Sequence, residues 1–250
     1  MKTTAVITAR MGSSRFPGKP LAPLHGRPMI EHVYKRTKIC ADLDDVVVAT
    51  CDMEIFDAVE AFGGKAVMTA DTHERASDRM AEAAQSLEGD VFVLVQGDEP
   101  MTFPDMISEA VAPFEIDSSV CCVNLTKRIS HIGEFKSPNT IKVIIGADGN
   151  ALYMSRSEIP TLTNNNFTDI NAFKQVCIIP FRRDTLEMYE ALPPTPGEIA
   201  ESIDMLRLIE HGIPVKMVET AFDTHAVDTQ EDLDHVSALM QEDLLMTKYR

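Results

Sequence analysis

The chain has 250 residues, 39 carboxylates against 23 Lys and Arg, a formal net charge of −16, and 44% hydrophobic residues. That size suits a single domain spanning 1–250, with or without a small subdomain, and no run approaches the roughly 20 apolar residues of a membrane span. The acidity argues against a nucleic-acid partner, because phosphate backbones need compensating Lys and Arg.

The first strand is expected at Thr4–Thr8. The segment MKTTAVITAR passes from it straight into a loop and lacks a signal-peptide layout. The loop, ARMGSSRFPGKPL from Ala9 to Leu21, carries Gly12, Ser13, Ser14 and Gly18, which let the backbone turn tightly and aim N–H groups at a ligand. Arg10, Arg15 and Lys19 add cations in a stretch, Met1 to Lys19, that holds no acid. Lys as a point charge and Arg as a forked donor suit a triphosphate. The spacing is neither a Walker A loop nor GxGxxG, which counts against the alternative of a dinucleotide-dependent oxidoreductase. A basic surface loop is the plainer alternative.

Helical spacing follows over Met29–Cys40, Glu54–Phe62 and Arg75–Leu87, alternating with strand-like runs at Val46–Thr50, Lys65–Met68 and Val91–Val95. Such alternation predicts βαβ units on a parallel sheet, with function at the carboxyl ends of the strands. The last of these runs ends in Gln96-Gly97-Asp98-Glu99-Pro100. Asp98 is therefore a candidate magnesium ligand, since a hard cation prefers carboxylate oxygen; the plainer reading is a turn Asp.

Strands are expected next at Val120–Leu125 and Thr140–Ile145, with a Gly146–Gly149 turn and a return strand at Ala151–Met154. Thr161–Asn171 reads as a polar loop, Gln175–Pro180 as a strand and Asp184–Ala191 as a helix. Pro193, Pro194 and Pro196 break the chain before a helix at Glu198–His211. After a strand at Val215–Glu219, a long helix is expected over Thr229–Met246, with Thr229 as N-cap and Asp232 three residues on. Leu233, Val236, Leu239, Met240 and Leu244 form its packing stripe. Asp228, just before it, is either a cap or a second metal ligand. The five cysteines include no CxxC pair, which fits a reducing, cytoplasmic setting. The seven histidines show no metal-ligand spacing, although His225 lies three residues before Asp228.

Taken together, ARMGSSRFPGKPL, GRPMIEHVYKR, VVVAT, AVEAFGGKAVMT, VQGDEPM, SPNTIKVI, ALYMSRSEIP, LRLIEHG and VDTQEDLDHV resemble the 3-deoxy-manno-octulosonate cytidylyltransferases almost end to end. The resemblance implies an α/β fold: a Rossmann-like, mostly parallel sheet flanked by helices, with a small β-rich dimerisation subdomain. It implies a cytoplasmic homodimer that transfers CMP from CTP to an acidic sugar with Mg2+, in lipopolysaccharide assembly. Ala9, Arg10, Met11, Gly12, Ser13, Ser14, Arg15 and Lys19 would bind the nucleotide, with Arg75, Ala76, Ser77, Arg79 and Gln96 around the base. Asp98 and Asp228 would hold the metal. Gln96, Lys142, Arg156, Gln175 and Asp204 would face the acceptor, and the Thr161–Phe173 region would serve the dimer contact.

The sequence departs from that family at Arg75-Ala76, where Ser-Gly is usual, and at Cys51-Asp52, where an Asp stands one residue earlier. It departs again at Gln175, Ile179 and Met205, where polar groups for a hydroxylated sugar are usual. A pocket without polar partners discriminates against hydroxyls, which opens the alternatives of a different small acid, such as a phosphonate or nonulosonic acid, or a non-catalytic nucleotide-binding protein.

Overall fold

The computed structural model describes residues 1–13, 15–162 and 166–249. Ser14 and the centre of the Thr161–Asn171 loop lie outside the described residues. The chain divides into two compact units, Met1–Ser108 with Asp223–Arg250, and Glu109–Phe222.

The first unit holds β1 (Thr3–Thr8), the short hairpin β2 (Pro23–Leu24) and β3 (Arg27–Pro28), α1 (Met29–Lys38), β4 (Asp45–Thr50), α2 (Met53–Ala61), β5 (Ala66–Met68), α3 (Ala76–Gln85) and β6 (Val91–Gln96). Within it β5, β4, β1 and β6 lie side by side in that order, all parallel. Every residue of β1 is buried, as expected of a parallel strand covered on both faces. The order of strands reverses between β1 and β6, and α/β sheets bind ligands outside the carboxyl ends of the strands at such a switch point. Both chemistry-bearing loops, Ala9–Leu21 and Gly97–Pro100, leave from there. These elements match the sequence expectation to within a residue or two at most ends.

α4 (Pro104–Ile116) carries the chain from one unit into the other. The sequence reading had no helix there. Pro104 at its first position costs nothing, because that N–H has no intrahelical partner.

The second unit contains β7 (Val123–Arg128), α5 (Ile132–Lys136), β8 (Lys142–Ile145), β9 (Ala151–Ser155), β10 (Phe173–Val176), β11 (Ile178–Arg182), α6 (Arg183–Ala191), α7 (Pro196–Glu201), α8 (Met205–Glu210) and β12 (Lys216–Glu219). Its sheet runs β12-β7-β10-β8-β9 and is antiparallel except for β12 with β7. The expected Gln175–Pro180 strand is in fact two strands that break at Cys177. The expected Glu198–His211 helix is also two, because Ser202 adopts a left-handed conformation (φ 56°) at the end of α7. α7 itself starts on a Thr195–Glu198 capping box with Pro196 behind it.

The chain then returns to the first unit with α9 (Gln230–Met240). It is shorter than the Thr229–Met246 expectation, and a 3-10 turn at Leu244–Lys248 follows. Leu233, Val236 and Met240 of α9 pack with Leu24, Met29, Met101 and Val227 in one apolar cluster. Leu244 is exposed and lies off the stripe. Among the described residues no helix is long and apolar enough to cross a membrane.

Candidate active site

Lys19 is the centre of the arrangement. Gly18 sits in the left-handed region (φ 74°), which lets the chain reverse and present Lys19 at the start of a 3-10 turn. The loop is closed at its neck, where Met11 O accepts N–H groups from Ser13 at 2.9 Å and Gly18 at 3.1 Å. Lys19 Nζ donates to Asp98 Oδ2 at 2.6 Å, Asp228 Oδ1 at 3.1 Å and Val227 O at 2.9 Å. Asp98 and Asp228, 130 positions apart in sequence, thus meet across one ammonium. Arg15 Nη2 lies 2.9 Å from the other oxygen, Asp228 Oδ2. Burial draws the Lys19 ammonium down, but the Asp98 and Asp228 carboxylates outweigh it and leave its pKa above the ordinary value.

Two backbone features fix the carboxylates. Gly97 passes so close to β1 that a Cβ there would lie 2.6 Å from Thr8 O, so only glycine brings Asp98 to this place. Val227 N donates to Asp98 O at 2.8 Å, which ties the two loops together. The open question over Asp228 is answered by its neighbour. Thr229 is the N-cap of α9, and its side chain forms a capping box with Asp232. Asp232 Oδ2 also accepts the Asp228 N–H at 3.1 Å. The cap is supplied elsewhere, and the Asp228 carboxylate faces Lys19 and Arg15.

Arg10 is exposed directly after β1, with no ion-pair partner among the described residues. Asp52, displaced by one residue from the family pattern, accepts the Met11 N–H at 2.7 Å and so anchors the loop. The sequence offered no signal for that role. Gly12 lies open, with nothing within 4 Å of where a Cβ would stand.

The residues expected around the base divide. Arg75 is the N-cap position of α3, Ala76 opens the helix, and Gln96 is the last, half-buried residue of β6. Ser77 is fully buried. Arg79 is also buried and donates to Thr69 Oγ1 at 2.5 Å and Ala70 O at 3.2 Å. Its guanidinium braces the turn between β5 and α3, which corrects the expectation of a direct ligand contact.

Among the acceptor residues of the second unit, Lys142 needs a larger correction. Lys142 is fully buried and donates to Ser137 O at 2.9 Å, Thr140 O at 2.7 Å and Arg156 O at 2.5 Å. An ammonium has three protons, so none is left for a ligand. Burial pushes its pKa down. Arg156 donates to the carbonyls of Glu201 (2.7 Å), Pro138 (3.1 Å) and Ser202 (3.2 Å). Gln175 donates to the buried Asn124 at 2.6 Å, and Asp204 is the N-cap position of α8. Ile179 and Met205 are buried core residues, so their apolar character serves packing.

Asp98 and Asp228 are the residues here that suit a metal. Among the described residues no three His, Cys, Asp or Glu side chains gather as a closed cage. Two carboxylate donors fit magnesium, which is commonly held by one or two carboxylates plus substrate phosphates. His225 instead stacks edge-on against His235, with ring centroids 5.6 Å apart.

The family model described as "Cytidylyltransferase" matches residues 4–219. The 3-deoxy-manno-octulosonate cytidylyltransferase of Geobacter metallireducens is 44% identical over 245 residues, covering 94% of this chain and 96% of the relative. That of Trichlorobacter lovleyi is 40% identical, covering 97% and 100%. A solved structure of CMP:2-keto-3-deoxy-manno-octonic acid synthetase complexed with CTP superposes with a TM-score of 0.91 at 41% identity, covering 98% of this chain and all of the other.

Proposed function

The chain belongs to the cytidylyltransferase family, and from that premise we propose that it transfers CMP from CTP to 3-deoxy-manno-octulosonate, releasing pyrophosphate, with magnesium held by Asp98 and Asp228. The observation that carries the proposal is the convergence of both carboxylates on Lys19, beside a loop rich in cations.

In this reading the acceptor's hydroxyl oxygen attacks the α-phosphorus of CTP in line and gives up its proton to solvent water, while the bond from that phosphorus to the pyrophosphate oxygen breaks and its electron pair leaves with pyrophosphate. Reactions of this kind ask a protein mainly for positioning and charge neutralisation. Arg10 and Arg15 grip the leaving pyrophosphate as forked donors. Lys19 exchanges its carboxylate partners for phosphate oxygens, which frees Asp98 and Asp228. Magnesium, when bound, neutralises phosphate charge and makes the acceptor hydroxyl more acidic. Asp52 keeps the loop closed on the triphosphate through the Met11 N–H, and Gln96 with the Arg75–Ser77 turn receives the cytosine.

On the acceptor side, Lys142 and Arg156 shape the Ser137–Thr140 segment and the Glu201–Ser202 turn by holding their carbonyls. Gln175 and Asp204 complete that proposed set. Because Ile179 and Met205 lie in the core, their divergence lends no weight to a phosphonate or another small acid. We place the protein in the cytoplasm as a homodimer, in keeping with the free thiols of all five cysteines and with the resemblance.

The test is pyrophosphate release from CTP and Mg2+ with octulosonate, a nonulosonic acid and a phosphonate as acceptors, repeated with UTP. Release with octulosonate and CTP is expected. Release with another acid alone would replace the acceptor, and no release with any would overturn the proposal.

A further inference from the structure

Arg36 lies in α1 at the end of the GRPMIEHVYKR segment, outside the residues assigned to nucleotide, metal or acceptor above, and its side chain is completely buried. A buried guanidinium needs its N–H groups satisfied, and the partners found here come from two separate segments. Nε donates to Thr102 O at 2.8 Å and Nη2 to Met101 O at 3.2 Å. Nη1 pairs with the Asp243 carboxylate. The guanidinium carbon lies 5.3 Å from the centre of the Phe103 ring.

Each partner leads back to one of the site carboxylates. Thr102 N and Thr102 Oγ1 both donate to Glu99 O, at 3.1 and 2.9 Å, and Glu99 N donates to Gln96 O at 3.3 Å. The turn that carries Asp98 is therefore a short, internally bonded unit whose far end Arg36 holds. Asp243 stands just beyond α9, with its N–H on Met240 O at 3.3 Å and its Oδ1 accepting Leu245 N at 2.9 Å. The opposite end of α9 begins at Gln230, directly after the Asp228-Thr229 pair. A helix is a stiff rod, so fixing its last turn fixes the approach of Asp228.

We propose that Arg36 is a positioning residue that sets the spacing of Asp98 and Asp228 by clamping the Met101–Thr102 carbonyls and Asp243 at once. It rests on the reading of those two aspartates as a joint cation site. It touches neither nucleotide nor metal and acts through the two segments it joins. Lysine keeps the charge but lacks the planar fork that serves partners in several directions, so Arg36→Lys loosens one hold or the other. A displacement of about 1 Å costs on the order of a hundredfold in a reaction governed by positioning.

The experiment measures Mn2+ binding by electron paramagnetic resonance in the presence of CTP, and CTP binding in EDTA, for the full chain and for Arg36→Lys. Melting temperatures establish that the variant is folded. The expected result is Mn2+ affinity lowered about tenfold or more, with metal-free CTP binding unchanged. Asp243→Asn keeps the side-chain shape and serves if Arg36→Lys does not fold, with a smaller shift in the same direction. A folded variant with unchanged Mn2+ affinity, or one whose metal-free CTP binding falls in step with it, overturns the inference. Wild-type protein that binds no Mn2+ with CTP overturns the metal-site reading as well, whereas failure of octulosonate as an acceptor leaves this readout intact.

Discussion

Lys19 in the first unit and Lys142 in the second are both lysines withdrawn from solvent, and each ammonium contacts three oxygens. Two of the Lys19 partners are carboxylates, which raise its pKa against the effect of burial. All three Lys142 partners are carbonyls, and burial, joined by the Arg156 charge, lowers its pKa against the pull of Glu158 and Glu201. A cation paired with carboxylates can change partners when an anion arrives, and the carboxylates left behind can take a metal. A cation that satisfies buried carbonyls has no such exchange, because each carbonyl it leaves costs about 1–3 kcal/mol. The partner type, more than the residue type, separates a site lysine from a structural one.

The largest effect that tests this contrast is expected at Lys19. Lys19→Met should lower kcat/KM for CTP by about a hundredfold to a thousandfold in protein that circular dichroism shows to be folded. A variant with near-normal kcat/KM would erase the distinction.

Lys142→Met should do the reverse. Ser137, Thr140 and Arg156 lose their donor, so stability should fall by a few kcal/mol at about 1–3 kcal/mol per carbonyl. The fraction that remains folded should keep its KM for the acceptor in the pyrophosphate-release assay. A raised KM for the acceptor without lost stability would make Lys142 a ligand after all.

The smallest effect concerns the cap that frees Asp228. Asp232 accepts from Asp228 N, Thr229 N and Thr229 Oγ1. Burial opposes its charged form, but these hydrogen bonds prevail and hold its carboxyl below the ordinary 3.8. Its contribution to stability is therefore full above pH 3.8 and is lost as pH falls through the lower folded-state value. Asp232→Ala should cost about 1 kcal/mol at neutral pH, and the gap should narrow in acid. A difference independent of pH in urea denaturation would assign the stabilisation to something other than the charged cap.

The parallel half of the fold was readable because its strands are short apolar runs, buried on both faces, between helices of regular spacing. That alternation alone placed Ala9–Leu21 and Asp98 at the ends of β1 and β6. The roles of individual side chains were less accessible. Whether Asp228 or Thr229 caps α9 is a one-residue question that either polar side chain can answer locally, and the backbone settles it. Lys142 and Arg156 came to the acceptor side only through the family resemblance, which carries no record of the carbonyls each side chain holds. Arg36 closes the GRPMIEHVYKR segment, but nothing there announces its role, since its partners lie 65 to 207 positions away. The helix over Glu198–His211 was read as continuous because Ser202 turns left-handed without a glycine or proline to announce it.

The central claim is that Asp98 and Asp228 form one cation site with bound CTP. Its most direct test is a Mn2+ titration followed by electron paramagnetic resonance on CTP-saturated wild type, Asp98→Asn and Asp228→Asn. Each substitution should weaken Mn2+ binding at least about tenfold, since a divalent ion loses one of its two protein carboxylates. Wild-type affinity in either folded variant would contradict the claim.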